Sequence, residues 1–257
     1  MVELNNIVKY FNAGTVDEVK LFDQFCLSIP KGQFVSIIGS NGSGKTTLLN
    51  LVSGSLAPDD GEILFDGQAI TKMPEYKRAR FIGRVFQDPK MGTCSDLTIL
   101  ENLALADNKG RPFGLTAGVN KARRDYFRER LAVCGMGLEN RLNTLAGSLS
   151  GGQRQALALV IAGMSDIELL ILDEHTAALD PKSSHTVMQL TDQLVKEKGV
   201  TTLMVTHNLR FALEYGNRLV MMHQGGVVKD LAGEQKEKES IDNLLHVFNE
   251  ISIECGN

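Results

Sequence analysis

Between Gly39 and Thr46 the chain reads GSNGSGKT, which fits G-x-x-x-x-G-K-[ST] without a mismatch. Glycines let the backbone wrap an anion, so that successive N–H groups point inward. The helix predicted to follow adds a favourable dipole at its start. Lys45 supplies a point charge for the β- and γ-phosphates, and the Thr46 hydroxyl can ligate Mg²⁺. The stretch predicts a nucleoside triphosphate site lined by Gly39, Ser40, Asn41, Gly42, Ser43, Gly44, Lys45, Thr46 and Thr47. Kinases, GTPases and motors share such a loop, so it does not define the reaction.

A second group of residues narrows the chemistry. ELLILDEHTAALD spans Glu168 to Asp180, and its apolar run ends in two acids. A buried strand there delivers Asp173 to its C-terminal edge, where it can hold the shell of a Mg²⁺ ion, through water. Glu174, one residue on, points differently and can reach an attacking water as general base. Taken alone, the pair also fits a strand that ends in an acidic cap for the next helix. His207, after LMVT, and Gln87, after RVF, each follow a predicted strand end. His207 can face the γ-phosphate, and the Gln87 amide oxygen can bind Mg²⁺ or water. A further glycine stretch, Ser150-Gly151-Gly152, precedes a helix-forming run. It is a second anion cradle, far along the chain from the first.

Elements that must position these residues follow from periodicity. VELNNIVKYF, VKLFDQFCLSI and QFVSIIG read as strands, and TTLLNLVSG as a packed helix. PDDGEILFDGQAI gives a turn and an alternating antiparallel strand. From about residue 88 to 163, helix formers replace β-branched runs. A strand (ELLILDE), a helix (SSHTVMQLTDQLVKEKG) and a strand (TTLMVTHN) then resume. RLVMMHQGGVVKDL reads as a hairpin turned by Gly225-Gly226. Ile241, Leu244, Leu245 and Phe248 mark the packed face of a last helix. The prediction is one α/β domain: residues 1–87 and 164–257 form a β-rich N-terminal part and an α/β core, with a helical subdomain inserted at about 88–163.

Composition sets bounds. The chain has 257 residues, 43% hydrophobic and 23% charged, with a formal net charge of -4. That balance does not favour a nucleic-acid partner, and the basic run Lys121 to Arg130 reads as a solvated helix face. Cys26, Cys94, Cys134 and Cys255 form no CxxC pair and are expected to be buried, small apolar residues in a reducing compartment. No run approaches the roughly 20 apolar residues of a membrane span, and the start lacks a signal-peptide pattern. A soluble, cytoplasmic chain is expected, needing a spanning partner if it acts at a membrane.

Together these motifs resemble the nucleotide-binding subunit of an ATP-binding cassette (ABC) transporter. GSNGSGKT looks like its Walker A motif, LLILDE like Walker B, and LSGGQ (Leu149 to Gln153) like its signature. Gln87 looks like the Q-loop glutamine, AALD (Ala177 to Asp180) like the D-loop, and His207 like the switch histidine. Phe11, or its neighbour Tyr10, matches the aromatic that stacks on adenine. The resemblance implies a P-loop NTPase core with a mainly parallel sheet, an antiparallel β subdomain and an inserted α-helical subdomain.

It also implies an ATPase using Mg²⁺, with Glu174, His207 and Gln87 catalytic, Asp180 and the signature residues Ser150, Gly151, Gly152 and Gln153 at the nucleotide, and Thr46, Gln87 and Asp173 at the metal. Two cassettes would pair head to tail, each signature capping the partner's ATP, which explains the two cradles. The second cassette would be an identical copy or a paralogue. An integral-membrane permease, and indirectly an extracytoplasmic substrate-binding protein, complete the implied assembly, with this chain peripheral on the inner face of the cell membrane. DEHTAALDPK, FQDPKMGT and SDLTILENLALA are similar to bacterial-type importer cassettes, some of them like systems for aromatic amino acids. A non-transport ABC ATPase of a membrane regulatory or cell-envelope complex is the alternative. His175, where many members have Pro or Ala, is expected to pack.

Overall fold

The computed structural model describes residues 1–110 and 118–254. In chain order its elements are β1 (Val2–Phe11), β2 (Val19–Ile29), β3 (Phe34–Gly39), α1 (Lys45–Ser53), β4 (Asp60–Phe65), β5 (Gln68–Ala69), α2 (Glu75–Arg78), β6 (Ile82–Val85), α3 (Ile99–Asp107) and α4 (Arg124–Ala132). There follow α5 (Gly151–Met164), β7 (Leu169–Asp173), α6 (Pro181–Lys198), β8 (Thr201–Val205), α7 (Leu209–Glu214), β9 (Arg218–His223), β10 (Gly226–Ala232), α8 (Glu234–Glu237) and α9 (Ile241–Glu254). The chain divides into two compact units, Met1–Ala79 with Thr201–Asn257, and Arg80–Val200.

The first unit contains an antiparallel sheet in the order β2-β1-β4-β5 and a run of strands in the order β10-β9-β3-β8. β3 pairs in parallel with β8 and β9, so it has neighbours on both sides. That is why FVSIIG is buried throughout and reads as an apolar run rather than an alternation. Its one hydroxyl, Ser36, donates to the Tyr215 carbonyl at 3.0 Å. Ile38, Ala212, Leu219, Met221 and Leu244 form a core between these strands and helices α7 and α9. The α9 stripe is phased differently from the expected one. Leu244, Val247 and Phe248 pack inward, whereas Ile241 and Leu245 are 38% and 45% exposed.

Helix α1 ends on a buried cation. The Arg78 guanidinium donates to the Leu51 and Val52 carbonyls, and to those of Met73, Ile70 and Thr71. It satisfies carbonyls that a helix terminus otherwise leaves open, and its positive charge suits that end of the dipole. Thus the helix that starts at the glycine loop is anchored at its far end.

In the second unit β6 and β7 pair in parallel, from Ile82↔Leu169 to Val85↔Leu172. α3 opens with a reciprocal capping box between Thr98 and Glu101. Ile99, Leu103, Phe127, Leu131 and Leu157 bring α3, α4 and α5 into one core. The fold is therefore mixed α/β, with parallel pairing, a separate antiparallel sheet and a helical region, as expected.

Two local expectations are corrected. The β9–β10 hairpin turns at Gln224-Gly225, both at positive φ (43° and 76°), and Gly226 is already paired with His223. Two residues at positive φ make the turn that matches the strand twist, so Gly225 takes the second position rather than the first. Cys26 and Cys94 are exposed, and only Cys134 of the described cysteines is buried. Strand alternation turns Cys26 outward, between buried Phe25 and Leu27. Cys255 lies outside the described residues. Among the described residues, no helix is long and apolar enough to cross a membrane.

Candidate active site

In the first unit, β3 ends at Gly39 and the chain wraps through Ser40–Gly44 into α1. Gly44 is the N-cap at φ 100°, and a Cβ there would lie 2.8 Å from the Phe22 ring of β2. No side chain caps α1, and no acid stands in its first turn. Its first N–H groups are thus open to an external anion. Lys45 is buried, and its ammonium lies across the loop, donating to the Gly39 and Ser40 carbonyls at 2.9 and 2.8 Å. Among the described residues the buried Ser43 hydroxyl has no hydrogen-bond partner. A buried hydroxyl of this kind, an uncapped helix start and an ammonium together fit a phosphate. Thr46 is exposed and Thr47 half-buried.

His207 is exposed, two residues beyond β8. β8 runs beside β3 with Val205 opposite Ile37, so two residues further along, His207 and Gly39 come to the same level. Phe11 ends β1 and is 38% exposed, opposite Val19. The Tyr10 ring is instead covered by the Lys20 ammonium, 5.7 Å from its centroid. Phe11 is therefore the freer of the two rings for stacking. Sequence reasoning missed the partner of Ser40: its hydroxyl lies 3.1 Å from His223 Nδ1.

In the second unit, β7 is buried along its length and delivers Asp173 and then Glu174. Glu174 has φ 47°, a left-handed conformation that non-glycine residues adopt at a cost of about 1 kcal/mol. Strain of this kind clusters at functional sites. Asp173 accepts from Arg84 Nη2 at 2.9 Å, and this guanidinium also lies over the Phe86 ring. Arg84 was not singled out by the sequence, although an arginine within the short strand IGRV was the available signal. Gln87, two residues past β6, is exposed, and the parallel β6–β7 register puts it at the same strand ends as Asp173. Gln155 of α5 donates to the Phe86 carbonyl at 3.0 Å, so α5 holds the backbone next to Gln87.

The signature stretch also lies in the second unit. Ser150 is the N-cap of α5 and exchanges a capping box with Gln153: Gln153 N–H donates to Ser150 Oγ, and Ser150 N–H to Gln153 Oε1, both at 3.3 Å. These two side chains are therefore spent on the helix itself. The Gly151 and Gly152 N–H groups at its first two positions remain. Ser150 and Gly151 are exposed, whereas Gly152 packs on α6, where a Cβ would meet Ser183 at 2.8 Å. Asp180 caps α6 by accepting from Ser183 N–H at 3.1 Å. The hydrogen bonds from Ser183, above all, hold its carboxyl below the usual range.

His175 is buried, as expected for a packing role. Its Nε2 is 3.2 Å from Thr191 Oγ1, whose own proton goes to the Val187 carbonyl at 2.8 Å. Nε2 therefore carries the proton and donates. Burial pushes the His175 pKa down to about 4. In the unfolded chain it titrates near 6.5, so between these values only the unfolded state takes up the proton. The stability that neutral, buried His175 contributes is fully present above pH 6.5 and is lost, by on the order of 3 kcal/mol, as pH drops through about 4. Urea unfolding of the wild type and His175→Asn should show the variant losing less stability between about pH 6.5 and 4.5. Parallel losses in both proteins would refute this assignment.

The first unit has an open phosphate cradle at a strand–helix junction, and the second has a glutamate at positive φ one residue after a strand-end aspartate; each is a feature of a nucleotide-hydrolysing cassette. The chain belongs to the ABC transporter family, whose model matches residues 22–177; it is an ATP-binding subunit and an ATPase. It is similar to the tyrosine transport ATP-binding protein of Clostridioides difficile, with 44% identity over 96% of this chain and 98% of that protein. The probable branched-chain amino acid transport ATP-binding protein LivG of Archaeoglobus fulgidus is 32% identical, covering 100% and 99%. Among solved structures, the dimeric post-hydrolysis state of the cassette MJ0796 bound to ADP and Pi matches with TM-score 0.77 and 32% identity. It covers 90% of this chain and 98% of that one.

Proposed function

We propose that the chain drives import of a small solute, of the amino-acid class, through a separate membrane permease. The observation that carries this reading is the 44% identity, over nearly all of both chains, to a protein named for tyrosine transport. Relatives named for lipoprotein release and macrolide export are each 34% identical. In this reading the cassette works as a pair, most simply with a second copy of itself, on the inner face of the membrane, and a substrate-binding protein supplies the permease.

The open helix start, Lys45 and Ser43 hold the triphosphate, with Phe11 against the base. Glu174 takes the proton of the water that attacks the γ-phosphorus, the bond to the ADP oxygen breaks, and inorganic phosphate leaves. His207 and Gln87 orient the γ-phosphate and the water. Gly151 and Gly152 of the other copy offer their N–H groups to the same γ-phosphate, with Ser150 and Gln153 setting that helix start and Asp180 at the adjoining turn. Thr46, Gln87 and Asp173 each offer an oxygen donor, the type that would suit Mg²⁺. When bound, that ion would supply charge neutralisation at the phosphates.

Gentle solubilisation of membranes holding the tagged chain tests the assignment. A permease with many membrane spans should co-purify, and its companion binding protein should take an amino acid. Recovery of a partner with few spans, or of none, would favour the regulatory-complex reading and count against import.

A further inference from the structure

Ser40 is held at both ends. Its hydroxyl lies 3.1 Å from His223 Nδ1, and its carbonyl accepts from Lys45 Nζ at 2.8 Å. His223 is the last residue of β9, and β9 pairs with β3 in a register that sets Met222 against Gly39. The backbone alone therefore brings His223 level with Ser40. Two more contacts close the same hairpin on the phosphate loop. Gly225 N–H donates to the Ser43 carbonyl at 3.1 Å. The Met222 carbonyl lies only 2.2 Å from where a Cβ on Gly39 would be. The hairpin turn is also packed closely on its other side: Gly225 has φ 76°, and a Cβ there would fall 1.6 Å from the Leu21 carbonyl oxygen. No other residue fits at that position.

We propose that His223 is a positioning residue for ATP binding: it pins Ser40, and through the Ser40 carbonyl it orients Lys45 across the phosphate loop. A loop with glycines at 39, 42 and 44 has conformational freedom to lose when it closes on an anion. A side-chain anchor on a neighbouring paired hairpin spends that entropy before the ligand arrives. The bond acts on Lys45 through the Ser40 carbonyl and on none of the groups placed at the attacking water. Its loss therefore weakens binding more than chemistry.

The inference rests on ATP occupying the Gly39–Thr46 loop. It is tested by steady-state hydrolysis with ATP as the probe, for wild type, His223→Ala, Ser40→Ala, the double variant and His223→Asn. Losing one hydrogen bond predicts a rise in the KM for ATP of about 3–10-fold in each single variant, with kcat within about twofold. The double variant should be no worse than the worse single one, because both remove the same bond. His223→Asn, whose amide can reach the Nδ1 position, should restore most of the affinity. An unchanged KM in Ser40→Ala, or losses that multiply in the double variant, would overturn the role of His223. Ser40→Ala decides this even if His223→Ala does not fold. Lys45→Ala in the same assay separates the premise: undiminished ATP affinity there would remove both the loop's role and this one.

Discussion

Glu174→Gln is expected to bind ATP and lose turnover by about 10²–10⁴-fold, the usual contribution of a positioned general base. Glutamine keeps the size and the hydrogen-bonding reach of the side chain but cannot take a proton from water. The left-handed backbone at this residue (φ 47°) is a property of the β7 end and its turn, where Ala177 N–H closes on the Glu174 carbonyl at 2.9 Å. The substitution leaves that backbone turn in place. ATP affinity should stay near that of wild type, and a closed pair of cassettes should accumulate, because hydrolysis no longer opens it. Single-turnover hydrolysis and sizing in ATP check both effects. Wild-type turnover in the variant would assign the base elsewhere.

Gly151→Asp is expected to leave ATP binding by the single chain intact and to abolish ATP-driven pairing. The substitution is mild for the fold. A Cβ at Gly151 meets only the tip of Leu179, at 3.3 Å, and the position is exposed. A carboxylate in the first turn of α5 is favoured by the helix dipole. What it would oppose, in the proposed pair, is a triphosphate. Unit charges about 4 Å apart near a protein surface interact by about 4 kcal/mol, so pairing in ATP should weaken by about 10²–10³-fold. Analytical ultracentrifugation with and without ATP, at matched nucleotide occupancy, measures this. Pairing as strong as in the wild type would mean that the second glycine stretch does not meet a phosphate.

Much of this was legible in the sequence because the residues that do the chemistry are contiguous with the elements that aim them. FVSIIG leads into GSNGSGKT, and LLILD into Glu174, so strand, loop and function are read in one pass. Contacts between distant segments were not legible. Nothing in MMHQGG says that His223 meets Ser40, 183 residues away, because that contact depends on the β3–β9 register. The Arg84–Asp173 pair depends in the same way on β6 lying beside β7. Smaller misses have local causes. At Gln224-Gly225-Gly226 the sequence offers two glycines, and pairing of Gly226 with His223 decides which one turns. In α9 four apolar positions fit one stripe, but Val247 displaces Ile241 and Leu245 at the contact.

The central claim is that each ATP is held by the phosphate loop of one copy and the signature helix of another. Mixing two inactive variants tests it. Lys45→Ala has a defective phosphate loop with an intact signature, and Gly151→Asp has the reverse. Each alone should hydrolyse little ATP. In a head-to-tail pair of one of each, one of the two sites combines both intact halves, so ATPase activity should return on mixing and rise with the amount of the limiting variant. A mixture no more active than the sum of its parts would contradict the shared site.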